Sequence, residues 1–125
     1  MIINFEFKRP TYKIVPTFKT IGKGKSKQNV IEKINCVLSF NDGLINVSGI
    51  ITQKDINESI PQLELLGIDF YTPFVSTFIN EFIIKLNNMF NTQLTHDDLN
   101  DFYKENQDVF IKFISELKNI INENR

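Results

Sequence analysis

Residues 29–52 read NVIEKINCVLSFNDGLINVSGIIT. Two runs rich in Val and Ile flank Asn41-Asp42-Gly43. An Asp-Gly pair between apolar runs predicts a β-hairpin, because glycine takes a positive φ without steric cost. In the first arm, Asn29 to Phe40, the apolar residues Val30, Ile34, Val37, Leu38 and Phe40 begin at helix-like spacings. The β-branched content and the turn that ends the run favour a strand. The returning arm carries Leu44, Ile45, Val47, Ile50 and Ile51. Gly49 inside it predicts a bulge or a close backbone approach.

Toward the N-terminus, Ile3, Phe5 and Phe7 alternate with polar residues at period 2, the pattern of a half-buried strand. Pro10 ends or bends it, since proline cannot donate to a ladder. Tyr12, Ile14 and Phe18 continue an extended edge, interrupted by Pro16. Gly22-Lys23-Gly24-Lys25-Ser26-Lys27 reads as a charged turn.

Toward the C-terminus, residues 57–71 read as a connection with scattered apolar residues: Ile60, Leu63, Leu65, Leu66, Ile68 and Phe70. Thr72 as N-cap and Pro73 at the first helical position start a helix that runs to about Phe90. Phe74, Phe78, Phe82, Leu86 and Phe90 make one i+4 row, and Val75, Ile79, Ile83 and Met89 widen it. A stripe this broad predicts a helix sandwiched inside the chain or one that also faces a second subunit. Thr95-His96-Asp97-Asp98 caps a second helical stretch over about 96–123, either continuous or broken near Asn106-Gln107. The reading is one domain over 1–125, with strands in 2–56 and helices at about 73–90 and 96–123. Strands followed by helices predict an α+β fold, a four-stranded antiparallel sheet with two main helices on one face.

The chain has 125 residues and a formal net charge of −1. That balance hides a split. Residues 1–41 hold eight bases and two acids, +6, and residues 42–125 hold six bases and thirteen acids, −7. Basic residues interleaved with Phe5, Phe7, Tyr12 and Phe18 suit a nucleic-acid platform. Lysine on edge strands is also the ordinary guard against unwanted pairing, and the acidic half repels phosphate. Nucleic-acid binding therefore ranks last among the readings.

The residues that carry chemistry are sparse. The lone cysteine, Cys36, sits in an apolar run and reads as a buried small hydrophobe. Gly24-Lys25-Ser26 resembles the end of a phosphate loop, but Lys19 stands where the pattern needs its earlier glycine, and a strand follows in place of a helix. His96, the only histidine, lies beside Asp97 and Asp98 at a helix start, where polar residues are expected anyway. The acid pairs Glu64 with Asp69 and Asp101 with Glu105 lie in loop or helix-face settings. No nucleophile, base and orienter come together, so the expectation is a non-enzyme with no cofactor and no metal. No apolar run approaches the ~20 residues that span a bilayer. No signal peptide opens the chain, so a cytoplasmic protein is expected. The positive signal is apolar surplus: twelve Phe and a wide helix stripe suggest an interface or a client groove.

The order of features resembles the SecB-type export chaperones and SecB-like proteins. The matching pieces are INFEF, PTYKIVPTFKT, NVIEKINCVLSF, GLINVSGIIT and FYTPFVSTFINEFIIKLNNMFNTQL, over about residues 2–95. Asn91-Thr92-Gln93 stands where the family has Pro-Pro. The acidic neighbour expected beside Glu6 falls at Ile2, so docking to a translocation motor is not carried over. The resemblance implies a cytoplasmic chaperone that holds unfolded polypeptide and assembles as a homo-oligomer, a dimer or tetramer. Client contacts would fall on Ile60, Leu63, Leu65, Leu66, Ile68 and Phe70. Core or subunit contacts would fall on Phe74, Phe78, Phe82 and Leu86, the set expected at a subunit interface. The alternative is a small assembly protein, phage-encoded for example, with one fixed protein partner.

Overall fold

The computed structural model describes residues 8–124. Three strands form an antiparallel meander in the order β1 (Thr11–Ile21), β2 (Gln28–Phe40), β3 (Ile45–Thr52). The Asn41-Asp42-Gly43 turn joins β2 to β3 as expected. Asn41, Asp42 and Gly43 all have positive φ, and the Leu44 amide donates to the Asn41 carbonyl at 3.1 Å. Asn, Asp and Gly are the residues that tolerate this region. Pro16 does not interrupt β1. It sits opposite Ile34 on the outermost of the described strands, where a missing N–H is tolerated.

The expected four-stranded sheet is corrected to three strands among the described residues. Ile3, Phe5 and Phe7, the expected first strand, lie outside them. At the entry to β1 the Lys8 amide donates to the Asn41 side chain at 2.9 Å, not to a strand carbonyl, and Pro10 has no N–H to donate.

Strand alternation puts three rows on one face: Tyr12–Leu38–Val47, Ile14–Cys36–Gly49 and Pro16–Ile34–Ile51. A bulge extends this face. Thr17 pairs with Lys33 and Phe18 pairs with Ile31, so Glu32 is the extra residue. The bulge returns Ile31 to the buried side. It also explains the helix-like spacing at the start of this arm, since Ile31 and Ile34 share a face three residues apart.

Four helices follow, where two main ones were expected: α1 (Ile60–Leu65), α2 (Tyr71–Phe90), α3 (Asn100–Glu105) and α4 (Gln107–Glu123). The segment expected as a plain connection is helical. A π turn over Asp55–Ser59 leads into α1. The start is a reciprocal Thr-x-x-Asp box. The Thr52 amide and hydroxyl donate to Asp55 at 2.9 Å each, and the Asp55 amide donates to the Thr52 hydroxyl at 3.1 Å. The second helical stretch breaks at Asn106, whose buried side-chain amide donates to the Phe102 carbonyl at 2.9 Å. No helix among the described residues is long and apolar enough to cross a membrane.

Helix α2 lies over β3, and α4 lies beside it over β1. Gly49 permits that approach. A Cβ there would come within 2.6 and 2.7 Å of the Phe78 ring. One turn on, the Phe82 ring stacks on Phe40 with centroids 3.8 Å apart and planes 8° apart. Phe113 of α4 meets Tyr12 at 5.1 Å and Phe78 at 6.0 Å, closing the layer. Phe78 sits in a filled core and cannot retreat. Gly49→Ala should therefore cost about 1–3 kcal/mol in chemical denaturation, the range for overpacking. Phe82→Ala should cost about 3–5 kcal/mol. A Gly49→Ala protein as stable as the parent would contradict this packing.

Candidate protein-interaction surface

The aromatic row expected at a subunit contact is mostly interior. Phe78 is 2% exposed, and Phe82 and Leu86 are fully buried in the chain's own core. Only Phe74 of that set reaches the surface, half-buried against Phe70 and Phe78. Six of the twelve Phe are buried: Phe40, Phe78, Phe82, Phe102, Phe110 and Phe113. Phe70 and Phe74 pack against the core, and Phe5 and Phe7 lie outside the described residues. The Phe surplus is thus largely spent on holding the fold.

The most exposed large apolar side chains, Leu65 and Leu66, lie at the corner between α1 and α2. Of the residues expected to meet a client, Ile60 is buried, and Leu63 and Phe70 are half-buried. Leu65 is 88% exposed, Leu66 is 73% exposed and Ile68 is 50% exposed. The corner is rigidly framed. Gly67, at φ 71°, ends α1 in a Schellman motif: its amide donates to the Glu64 carbonyl at 3.0 Å and the Ile68 amide to the Leu63 carbonyl at 2.8 Å. Asp69 then opens α2. It accepts the Tyr71 amide at 2.9 Å and the Thr72 amide at 3.3 Å, and also the Thr72 hydroxyl. Asp69, not Thr72, is the capping side chain, and Thr72 is already inside the first turn. The Thr72 hydroxyl first, then the two amides and Lys118, hold the Asp69 carboxyl below its ordinary range, and together they outweigh the opposing effect of burial.

A cleft of about 400 Å³ opens beside this corner. Residues Gly67 to Tyr71 form one wall, and Lys118 and Asn122 of α4 form the other. The Phe70 and Tyr71 rings meet edge to face at 5.6 Å, and the Lys118 ammonium lies over the Tyr71 ring at 5.4 Å. The corner therefore offers aliphatic side chains beside an aromatic slot with one cation. The Glu64 and Asp69 carboxylates line the same cleft, so Lys118 stands among acids there, and Leu65, Leu66 and Ile68 supply the apolar part of the corner.

The other sequence candidates are placed apart from it. Cys36 is fully buried, and burial pushes its thiol up to about 12. Gly24-Lys25-Ser26 is a 3-10 turn at the tip of the β1–β2 hairpin, followed by β2. His96 is exposed ahead of a 3-10 turn, where Asp98 accepts the Thr95 amide at 2.8 Å and its hydroxyl at 3.1 Å. Among the described residues no group of His, Cys, Asp and Glu is placed to hold a metal ion. Part of the charge split is resolved by pairing: Lys8 meets Asp42, and Arg9 meets Asp108 across the layers. Two apolar features are not marked by the sequence pattern. Val15 and Ile50 share the outer face of the sheet, and Leu44 and Met89 line a second opening. Period-2 alternation marks which residues share a face, but not which face the helices cover.

The cap makes the corner sensitive to acid. Because the Asp69 carboxyl is lowered in the fold, its contribution is complete above the unfolded carboxylate value of about 3.9 and fades as pH falls through the folded value. Asp69→Ala should cost about 1 kcal/mol at neutral pH. The difference from the parent should shrink in acid. A difference that grows as pH falls would contradict the cap.

Compared with protein-family models, with curated proteins and with solved structures, the chain gives no match.

Proposed function

We propose that this protein is a non-enzymatic, polypeptide-binding protein of the SecB-like chaperone kind, and that the α1–α2 corner receives the client. The observation that carries this reading is the outward presentation of Leu65 and Leu66 beside the Phe70–Tyr71 cleft. Burying apolar area yields about 25 cal/mol per Å², so covering a leucine side chain fully is worth roughly 1.5–3 kcal/mol. A few such contacts give weak, sequence-tolerant binding, which suits a holding function. The likeness of the strand and helix segments to SecB-type chaperones supports the same reading. The lone, buried Cys36 is in keeping with action in the cytoplasm, a reducing compartment.

The rigid framing of the corner by Gly67 and Asp69 favours a second reading, an assembly protein with one fixed partner. Preorganisation lowers the cost of binding one defined shape. The two readings separate in one experiment. A holding protein suppresses aggregation of an unrelated reduced, unfolded protein at stoichiometric amounts without ATP, measured by light scattering. Leu65→Ser with Leu66→Ser should abolish that suppression. Both side chains are exposed, so the midpoint of unfolding should move little. Suppression that survives the double substitution contradicts the corner as the client site. No suppression by the parent protein contradicts the holding function and leaves the fixed-partner reading.

A further inference from the structure

The β1–β2 hairpin carries a charge pattern that the polypeptide-binding reading leaves unused. The β2–β3 register ends at the Lys33–Thr52 pair. Beyond it, Phe18 to Ile21 pair with Gln28 to Ile31 as a ribbon with no third strand among the described residues. From Thr17 to Lys33 this arm holds Lys19, Lys23, Lys25, Lys27 and Lys33 against one carboxylate, Glu32, a local charge of +4. All five lysines are exposed, and among the described residues none forms an ion pair. Lys8, Arg9 and Lys85 do; what sets the hairpin apart is density, five lysines within seventeen residues against a single carboxylate.

We propose that this arm is a contact for the phosphate backbone of a polynucleotide. By alternation Lys13, Lys33 and Lys19 follow one another along the outer face, and Lys23, Lys25 and Lys27 continue the track around the tip. A linear track of cations fits a linear polyanion, whose bound counterions it releases. Thr17, Gln28 and the Asn29 side-chain amide nitrogen add neutral hydrogen-bonding groups of the kind that accompany lysine at phosphates, while the Thr20 and Ser26 hydroxyls donate within the hairpin, to Asn29 and to the Lys23 carbonyl. A two-stranded ribbon is also an element that a nucleic-acid major groove admits. Phe18 lies on the face opposite Lys19, half-exposed. A flat lipid surface cannot meet both at once, whereas a strand that wraps the ribbon can. The arm holds no aligned set of side chains for reading bases, so binding is independent of sequence. The surface is separate from the apolar corner, and either reading can fail alone.

The test is fluorescence anisotropy of the full chain with short labelled single-stranded DNA, the matching RNA and the duplex, across a range of salt. Binding to at least one polynucleotide is expected at low salt. The logarithm of affinity should fall with the logarithm of salt at a slope of about −3 to −4, reflecting four to five neutralised phosphates. The substitutions Lys23→Gln, Lys25→Gln and Lys27→Gln together should weaken binding at least tenfold and flatten the slope by about 2 to 3. Lys54→Gln, Lys104→Gln and Lys112→Gln together change net charge equally and should leave affinity within twofold. No polynucleotide binding at low salt overturns the proposal, as does an equal loss in both triple variants. Tighter binding to poly-glutamate or to phosphatidylserine vesicles than to any polynucleotide also overturns it, assigning the arm to an acidic protein or a membrane surface.

Discussion

The structure depends on one close approach. The missing Cβ at Gly49 lets the Phe78 ring reach the backbone of β3, and the Phe82 ring then stacks on Phe40. With α2 seated this low, the middle of its i+4 row, Phe78, Phe82 and Leu86, is buried against the sheet, and Phe74 and Phe90 at its ends reach the surface. Helix α4 comes alongside and closes the layer through Phe113, between Phe78 and Tyr12. A three-stranded sheet with one covered face and a full aromatic layer is enough to bury a core in one short chain.

That arrangement decides where apolar surface is left for function. Phe78, Phe82 and Leu86 are spent inside, so the wide stripe of α2 is explained by a sandwich in the chain's own core. What remains outside is scattered, and its most exposed members stand together between α1 and α2. Leu65, Leu66 and Ile68 stand at a corner whose geometry is set by hydrogen bonds: a Schellman motif at Gly67 and the Asp69 carboxylate at the head of α2. The β1–β2 hairpin has the opposite character, charged and without ion pairs among the described residues. The +6/−7 split is therefore two things at once. Lys8 and Arg9 bind the basic segment to Asp42 and Asp108, and the hairpin lysines keep their charge for solvent or a partner.

Much of the fold was legible in residues 11–52. The Asn41-Asp42-Gly43 turn and the β2 and β3 arms stand where their patterns place them. Gly49 is the close approach its position in a strand suggested. The remainder depended on hydrogen bonds that spacing alone does not single out. The Thr52–Asp55 box starts helical structure where the scattered apolar residues of 57–71 showed no clear period, although Thr-x-x-Asp was there to be read. Asp69 outcompetes Thr72 as the cap because its carboxylate reaches two amides and the Thr72 hydroxyl together. At the candidate site, the apolar set was legible as a group, but its division was not. Ile60 goes inward and Leu65 and Leu66 outward because α1 has only one face toward the core, and that face is fixed by packing after β3.

A single chain completes its own aromatic core, with Phe78, Phe82, Leu86 and Phe113 buried within it. Denaturant unfolding over a hundredfold range of protein concentration tests it most directly, since a core completed by a second subunit makes the midpoint depend on concentration. One cooperative transition with an unchanged midpoint is expected. A midpoint that rises with concentration would contradict it, showing that the row from Phe74 to Leu86 needs another copy to be buried.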